Sequence, residues 1–313
     1  PVRPWEMTMP YLVTTFGPIP RERLGMILPH EHVFVDLRTW DQPGYGEGDP
    51  ADVIRLMAPE IDAAAALGVT AIVEPGPAGV GRRVDILKAV SEATGMPLAV
   101  PTGVYREPWL PPWVRDASQD DLRDWMIREL TDGVEGTGVR AGWIKLGATD
   151  DGLTGAETKV LRAAAAASVA TGATIGSHTI RGHVARTQLD LIEEAGGAPD
   201  RYIWIHTHVE PDIAIHHELA RRGAWIEYDG IGDPADDPKF LDLVLAALDA
   251  GLGHRVLLSH DRGWYDPAQP GGGIPKPFTP LMERFLPLLS DAGVDDTTIL
   301  MLTHDNPFAA FAR

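Results

Sequence analysis

The sequence predicts an α/β fold, a single (β/α)8 TIM barrel, and three features carry that expectation. Eight short apolar runs alternate with longer helical patterns from about residue 24 to the end. The runs are continuously apolar instead of alternating, the pattern of parallel strands covered on both faces. Their connections are short, which favours one closed barrel over an open doubly wound sheet. The length of 313 residues is also that of one such barrel with loop insertions.

In chain order, residues 1–23 form an N-terminal extension expected to pack on the barrel, within one domain spanning 1–313. The first strand is LGMILPHEH (24–32). A helix over 52–67 stops at Gly68 and leads into VTAIVEP (69–75). A helix over 82–93 stops near Gly95, before PLAVPTGVY (97–105). The helix over 119–132 precedes RAGWIKLG (140–147), and an alanine-rich helix over 156–170 stops before GATIGSH (172–178). Three further pairs follow: helix 184–195 with RYIWIHTH (201–208), helix 211–222 with GAWIEYD (223–229), and helix 240–250 with HRVLLSHD (254–261). Glycine just past a helix end supplies the left-handed residue that commonly terminates it. The Gly/Pro-rich stretch DPAQPGGGIPKPF (266–278) reads as an active-site loop after the eighth strand.

Composition narrows the function. With 44% hydrophobic and 23% charged residues the chain has ordinary globular make-up. A net charge of −18 without a Lys/Arg run argues against nucleic acid and against an anionic membrane, so a small-molecule substrate is the expected partner. The absence of cysteine excludes disulfides, thiolate metal sites and cysteine nucleophiles. No run of about 18 apolar residues occurs, so no spanning helix is expected. The segment PVRPWEMTMPYLV lacks the pattern of a signal peptide, and the expected location is cytoplasmic. The glycines of 76–81 have the wrong spacing for a dinucleotide loop, and no GxxxxGKS/T or GxSxG motif occurs.

The chemistry-bearing residues sit at predicted strand ends. His30 and His32 are two apart on the first strand, so their side chains share a face. His178 closes the fifth strand, His206 lies at the end of the sixth, and Asp261 closes the eighth. Groups on different strand ends converge only at the C-terminal mouth of a barrel, where such enzymes keep their sites. With nitrogen and oxygen ligands alone, the metals that suit are zinc, manganese, iron or cobalt. Lys145 is one of five lysines and sits inside an apolar strand. One reading is a lysine paired with a carboxylate. The other is a buried amine of lowered pKa that adds carbon dioxide and becomes an anionic, two-oxygen ligand.

Along nearly its whole length the chain resembles the phosphotriesterase-like lactonases of the amidohydrolase superfamily. The motifs that carry the resemblance are TTFGPIPRERLGMILPHEHVFVDLR, GVEGTGVRAGWIKLGA, RYIWIHTH, VLLSHD and a closing THDNPFAAF. The resemblance implies two divalent ions, zinc before manganese, iron or cobalt. His30, His32 and Asp261 would hold the first, His178 and His206 the second, and a carbamate on Lys145 would bridge them. His206, not His208, fits the family's spacing to the following Arg-Gly at 222–223, which leaves His208 as a pocket residue. His183 matches a histidine common in the lactonase branch and reads as support for the site. Tyr105 falls where lactonases carry tyrosine, which favours lactone or ester chemistry. After Asp229 the family carries arginine and this chain has Gly230, so a wider or differently charged pocket is expected, with Arg262 restoring positive charge and Trp264 contributing an apolar wall. The resemblance also implies a homodimer.

The expected activity is hydrolysis of a lactone or other carboxylic ester, with Asp261, Lys145 and Tyr105 as catalytic residues and slow side activity on phosphotriesters. The nearest alternative is hydrolysis of an amide such as an N-acyl amino acid. A different class of reading is a barrel that binds a ligand without catalysis; the intact set of six ligands speaks against it.

Overall fold

A computed structural model describes residues 9–313, so residues 1–8 of the N-terminal extension lie outside the described residues. The chain begins with an antiparallel hairpin, β1 (Tyr11–Thr14) and β2 (Gly17–Pro20). The first barrel strand is β3 (Met26–Leu28), and after a short break it continues as β4 (Glu31–Phe34). Then follow α1 (Pro50–Ala66), β5 (Val69–Val73) and α2 (Val84–Thr94). The third barrel strand comes in two halves, β6 (Leu98–Ala99) and β7 (Pro101–Thr102).

After α3 (Pro112–Asp116) and α4 (Gln119–Thr131) come β8 (Trp143–Gly147), α5 (Gly155–Thr171), β9 (Ile175–His178), α6 (Gly182–Glu194) and β10 (Tyr202–Ile205). The last barrel units are α7 (Ile213–Arg222), β11 (Trp225–Tyr228), α8 (Asp237–Asp249) and β12 (Val256–Leu258), with β13 (Arg262–Tyr265) carrying the eighth strand onward.

The strands make one parallel ring. β3 pairs with β5 and β5 with β6; the ladder then runs from β7 through β8, β9, β10 and β11 to β12. It closes where β13 lies beside β4, with Arg262 opposite Glu31 and Gly263 opposite His32. The expected (β/α)8 architecture is the observed one. Helix starts follow their caps: Ser118 with Asp121 and Thr154 with Glu157 form reciprocal capping boxes at α4 and α5.

Two cores hold the ring. Inside it, Ile27, Val73, Trp143, Ile203, Ile205 and Leu257 fill the lumen, with Leu12 of the hairpin and Phe311 added below. Between ring and helices, the inward faces of α1, α2, α4 and α5 bury residues such as Met57, Leu87, Met126 and Leu161. The expected outline names no element beyond residue 278. The structure has a π-helical turn Leu281–Phe285 leading into α9 (Leu286–Asp291), then α10 (Asp296–Leu300), a second π-helical turn Met301–Asp305 and α11 (Asn306–Phe311). These pieces are short and Pro287 and Pro307 restart them, so no long amphipathic period is present to read. Among the described residues no helix is long and apolar enough to cross a membrane.

Candidate metal centre

The ring brings the strand-end residues to one mouth. His30 and His32 flank Glu31 at the β3–β4 junction, Lys145 is central in β8, His178 ends β9, and His206 and Asp261 follow β10 and β12. All six line one cavity of about 200 Å3 together with Tyr105 and Trp264, and Val35, Leu37, Pro75, Pro77 and Val80 supply its apolar wall. Asp261 Oδ1 lies 3.3 Å from His32 Nε2 and 3.6 Å from His30 Nε2. The rings of His178 and His206 meet edge to face with centroids 4.5 Å apart, and those of His30 and His206 lie 5.5 Å apart.

Carboxylates behind the rings aim them. His30 Nδ1 lies 3.0 Å from Glu227 Oε2, and His206 Nδ1 lies 3.0 Å from Asp229 Oδ1. His32 Nδ1 is 3.4 Å from Glu74 Oε1. A proton on Nδ1 facing the carboxylate turns the Nε2 lone pair toward the cavity, the arrangement that orients histidine ligands. Glu31 does the same work for the backbone. Its carboxylate accepts hydrogen bonds from Ser259 Oγ (2.8 Å), His260 N (3.0 Å), His260 Nδ1 (2.5 Å) and Arg262 N (3.0 Å), and so fixes the segment that presents Asp261. His260 Nε2 in turn accepts from Leu281 N at 2.8 Å, so His260 packs and links instead of facing the cavity.

The backbone is turned to fit. His206 and Asp261 both adopt left-handed conformations, φ +64° and +53°, which cost a non-glycine residue about 1–2 kcal/mol each. At Gly103 (φ +101°) the third strand passes so close to β8 that a Cβ would sit 2.2 Å from the Lys145 carbonyl oxygen.

Burial and charge set the protonation states. Burial drops the His30 pKa to about 3 and takes His178 well below its ordinary value, so both stay neutral. Burial pushes the Lys145 ammonium down to about 8, against the pull of Asp261 and Glu227. At His32 burial is outweighed by Asp261 and Glu74, which raise it to about 9; Asp261 itself, against its burial, is held at about 2, chiefly by His32. Glu227 and Asp229 form a buried pair. Burial and the Asp229 charge lift Glu227 well above the carboxylate range, while His206 overcomes burial and holds Asp229 well below it. Burial raises the Tyr105 phenol to about 12, so it keeps its proton.

The remaining sequence-predicted residues divide. Tyr105 stands edge-on to His178 at 5.2 Å, and Trp264 to His32 at 5.7 Å. Asp229 and His208 line a neighbouring cavity instead. Arg262 turns aside from both, with its guanidinium lying over Gly232. His183 is exposed on α6, away from the role expected of it. The sequence reading missed Glu31, Glu74 and Glu227, all buried. For Glu74 and Glu227 a signal was available, since an acid inside IVEP or WIEYD has no reason to sit in an apolar strand unless it is paired.

A model of the phosphotriesterase family matches residues 10–311. The chain belongs to the phosphotriesterase family. It is therefore a metal-dependent hydrolase. Within that family it is 29% identical to the phosphotriesterase homology protein of Mycobacterium tuberculosis, over 97% of this chain and 98% of that one. It is 28% identical to the aryldialkylphosphatase of Saccharolobus solfataricus, over 92% and 95%. A mutant of the PTE-like lactonase of Deinococcus radiodurans superposes with a TM-score of 0.87 at 30% identity, over 96% of this chain and 99% of that one.

The residues present fit the divalent metal that phosphotriesterase-family membership implies. His178 Nε2 and Asp261 Oδ1 are buried without a hydrogen-bond partner among the described residues. His30, His206 and Asp261 each offer a ligand atom within 4.8 Å of the others. The buried acids that protonate His32 create a field that a cation would neutralise.

Proposed function

We propose that this hydrolase cleaves a lactone or other carboxylic ester, with slow side activity on phosphotriesters. In this reading its centre holds two divalent ions, zinc before manganese, iron or cobalt. His30, His32 and Asp261 would hold one, His178 and His206 would hold the other, and Lys145, as a carbamate, would complete the set. The observation that carries the reading is the convergence of all six groups on one cavity, with Tyr105 against His178.

When bound, such ions act as Lewis acids that lower the pKa of a water and draw electron density from the reacting carbonyl. The protein's own groups do the rest. The neutral Lys145 amine forms an N–C bond with carbon dioxide and releases one proton, which gives a carbamate with two oxygens to offer. Asp261, ionised and aimed by Glu31, accepts a proton at its carboxylate and returns it to the leaving alkoxide. The Tyr105 phenol remains a donor and orients the substrate oxygen. The apolar wall from Val35 to Val80 excludes water and strengthens every charge interaction inside.

The test has two parts: metal content of the purified protein by plasma mass spectrometry, and a hydrolysis panel of lactones, esters, N-acyl amino acids and phosphotriesters on metal-reconstituted enzyme. Two metals per chain with lactone or ester turnover is the expected result. Cleavage of amides with no ester turnover would reject the assignment.

A further inference from the structure

Beside the first cavity lies a second of about 300 Å3, which shares His178, His206 and Asp261 with it and adds His208, Val209 and Gly230. His208 rides on the single helical turn Thr207–Val209 that follows His206. Two contacts fix its ring. Nδ1 lies 3.2 Å from Asp229 Oδ1, and the buried Phe240 ring packs against it with centroids 5.1 Å apart. The third boundary is a missing side chain. A Cβ at residue 230 would stand 2.7 Å from His208 Nε2 and 2.9 Å from Phe240 Cζ. The widening expected from Gly230 is therefore not open space, because the imidazole fills it.

Nδ1 faces the Asp229 carboxylate, which leaves Nε2 as the ring nitrogen on the side of the bare Gly230. The His206 and His208 rings are 6.3 Å apart, a span that a substrate bridges with a few bonds between its carbonyl and a neighbouring polar group. The geometry points to His208 as the residue that reads the substrate beside the scissile bond, with Nε2 accepting a hydrogen bond from an O–H or N–H. Resting on the ester reading above, this narrows the substrate class to lactones or esters with a hydrogen-bond donor on the carbon next to the carbonyl. A site that hydrogen-bonds such a group discriminates against its blocked analogue, because the buried acceptor is then left unpaired.

The test uses α-hydroxy-γ-butyrolactone and its O-methyl ether as a matched pair on metal-reconstituted wild type, His208→Ala, His208→Gln and Gly230→Ala, with metal content measured for each. Wild type is expected to favour the hydroxy-lactone by about tenfold or more in kcat/KM, roughly one hydrogen bond's worth. His208→Ala should abolish that preference through a KM that rises about tenfold more for the hydroxy-lactone than for the methyl ether. His208→Gln, which keeps an acceptor, should retain most of it. Gly230→Ala should lose it, since the added methyl displaces the ring. In calorimetric titrations the hydroxy-acid product should bind wild type more tightly than His208→Ala. Equal treatment of the two lactones by wild type, equal losses on both in His208→Ala, or loss of metal in that variant would each overturn the inference. If wild type cleaves neither lactone, the ester reading fails; product binding that is equal in wild type and His208→Ala would then overturn the role of His208 separately.

Discussion

A lysine amine held at about 8 by burial is partly neutral near physiological pH, and only the neutral form adds carbon dioxide. Lys145→Ala should therefore lose both bound metal and turnover. Short carboxylic acids, which supply two oxygens to the same gap, should restore part of each. Full metal content in Lys145→Ala would remove the bridging role. The acids behind the histidines make a sharper pair. Glu227 is kept protonated by burial and by Asp229, whereas Asp229 is kept ionised by His206. An amide resembles a protonated carboxyl in shape and charge, so Glu227→Gln should keep metal content and stability close to wild type. Asp229→Asn replaces a carboxylate that steers His30, His206 and His208, and metal affinity should fall about 10–100-fold. Competition with a chelating dye measures both; equal behaviour of the two variants would count against this assignment of the proton.

Strands and helices show what the sequence made legible. The eight strands and seven of the helices are visible in it because each strand is an unbroken apolar run and most helices begin at a cap or end at a glycine. The closing device is not visible: Glu31 reaches residues 259–262 across some 230 positions of chain, and no local pattern announces that. Gly103 is similar. In PTGVY it reads as an ordinary strand end, yet its bare Cα lets the third strand pass the Lys145 carbonyl. Gly103→Ala should combine backbone strain with a steric clash and destabilise the fold by about 3 kcal/mol or more, with loss of metal as β8 shifts. Urea unfolding reads the first effect, and an unchanged midpoint would show that the strands part freely. On α7 the relevant group is His216, fully buried with Nε2 against the Glu210 carbonyl oxygen. Burial lowers its pKa from 6.5 to about 4. Between those values the unfolded chain binds the proton and the folded chain does not, so the stability held above 6.5 drains away as pH falls toward 4. The loss from this one group is about 2 kcal/mol between about pH 7 and about pH 5. His216→Gln should be less stable at neutral pH but lose less on acidification.

For the whole molecule, the proposed ligands join the first, fourth, fifth, sixth and eighth strands, so a bound metal ties together parts of the ring that are far apart in sequence. Ligand linkage then stabilises the whole barrel: at about a hundredfold excess over Kd the gain is about 2.7 kcal/mol, and in a protein of this size that is about 4 °C in Tm. Calorimetry of metal-free and reconstituted protein should show one transition moving upward, and two transitions would mean that the ring opens in parts. The groups that line the mouth were readable at this scale because strand ends in a barrel share one mouth, although only the family resemblance favoured His206 over His208. The pocket was not, because the partner of Gly230 is His208, on a different strand, and only the fold brings them together.

The left-handed backbone at His206 and Asp261 carries a consequence for evolution. Both residues hold conformations in which most side chains are disfavoured, and Asp261 adds negative charge close to Glu227 and Asp229. Against that strain, His32 holds Asp261 ionised and His206 holds Asp229 ionised, so the charge pairs that serve the site also hold the folded state. Asp261→Asn keeps a residue tolerant of the left-handed turn but gives up the charge pairing with His32, so the metal-free variant should melt lower than the metal-free wild type and should also bind metal less well. A stability selection applied without substrate would thus hold the charged mouth of the barrel in place, and would preserve the enzyme where it works.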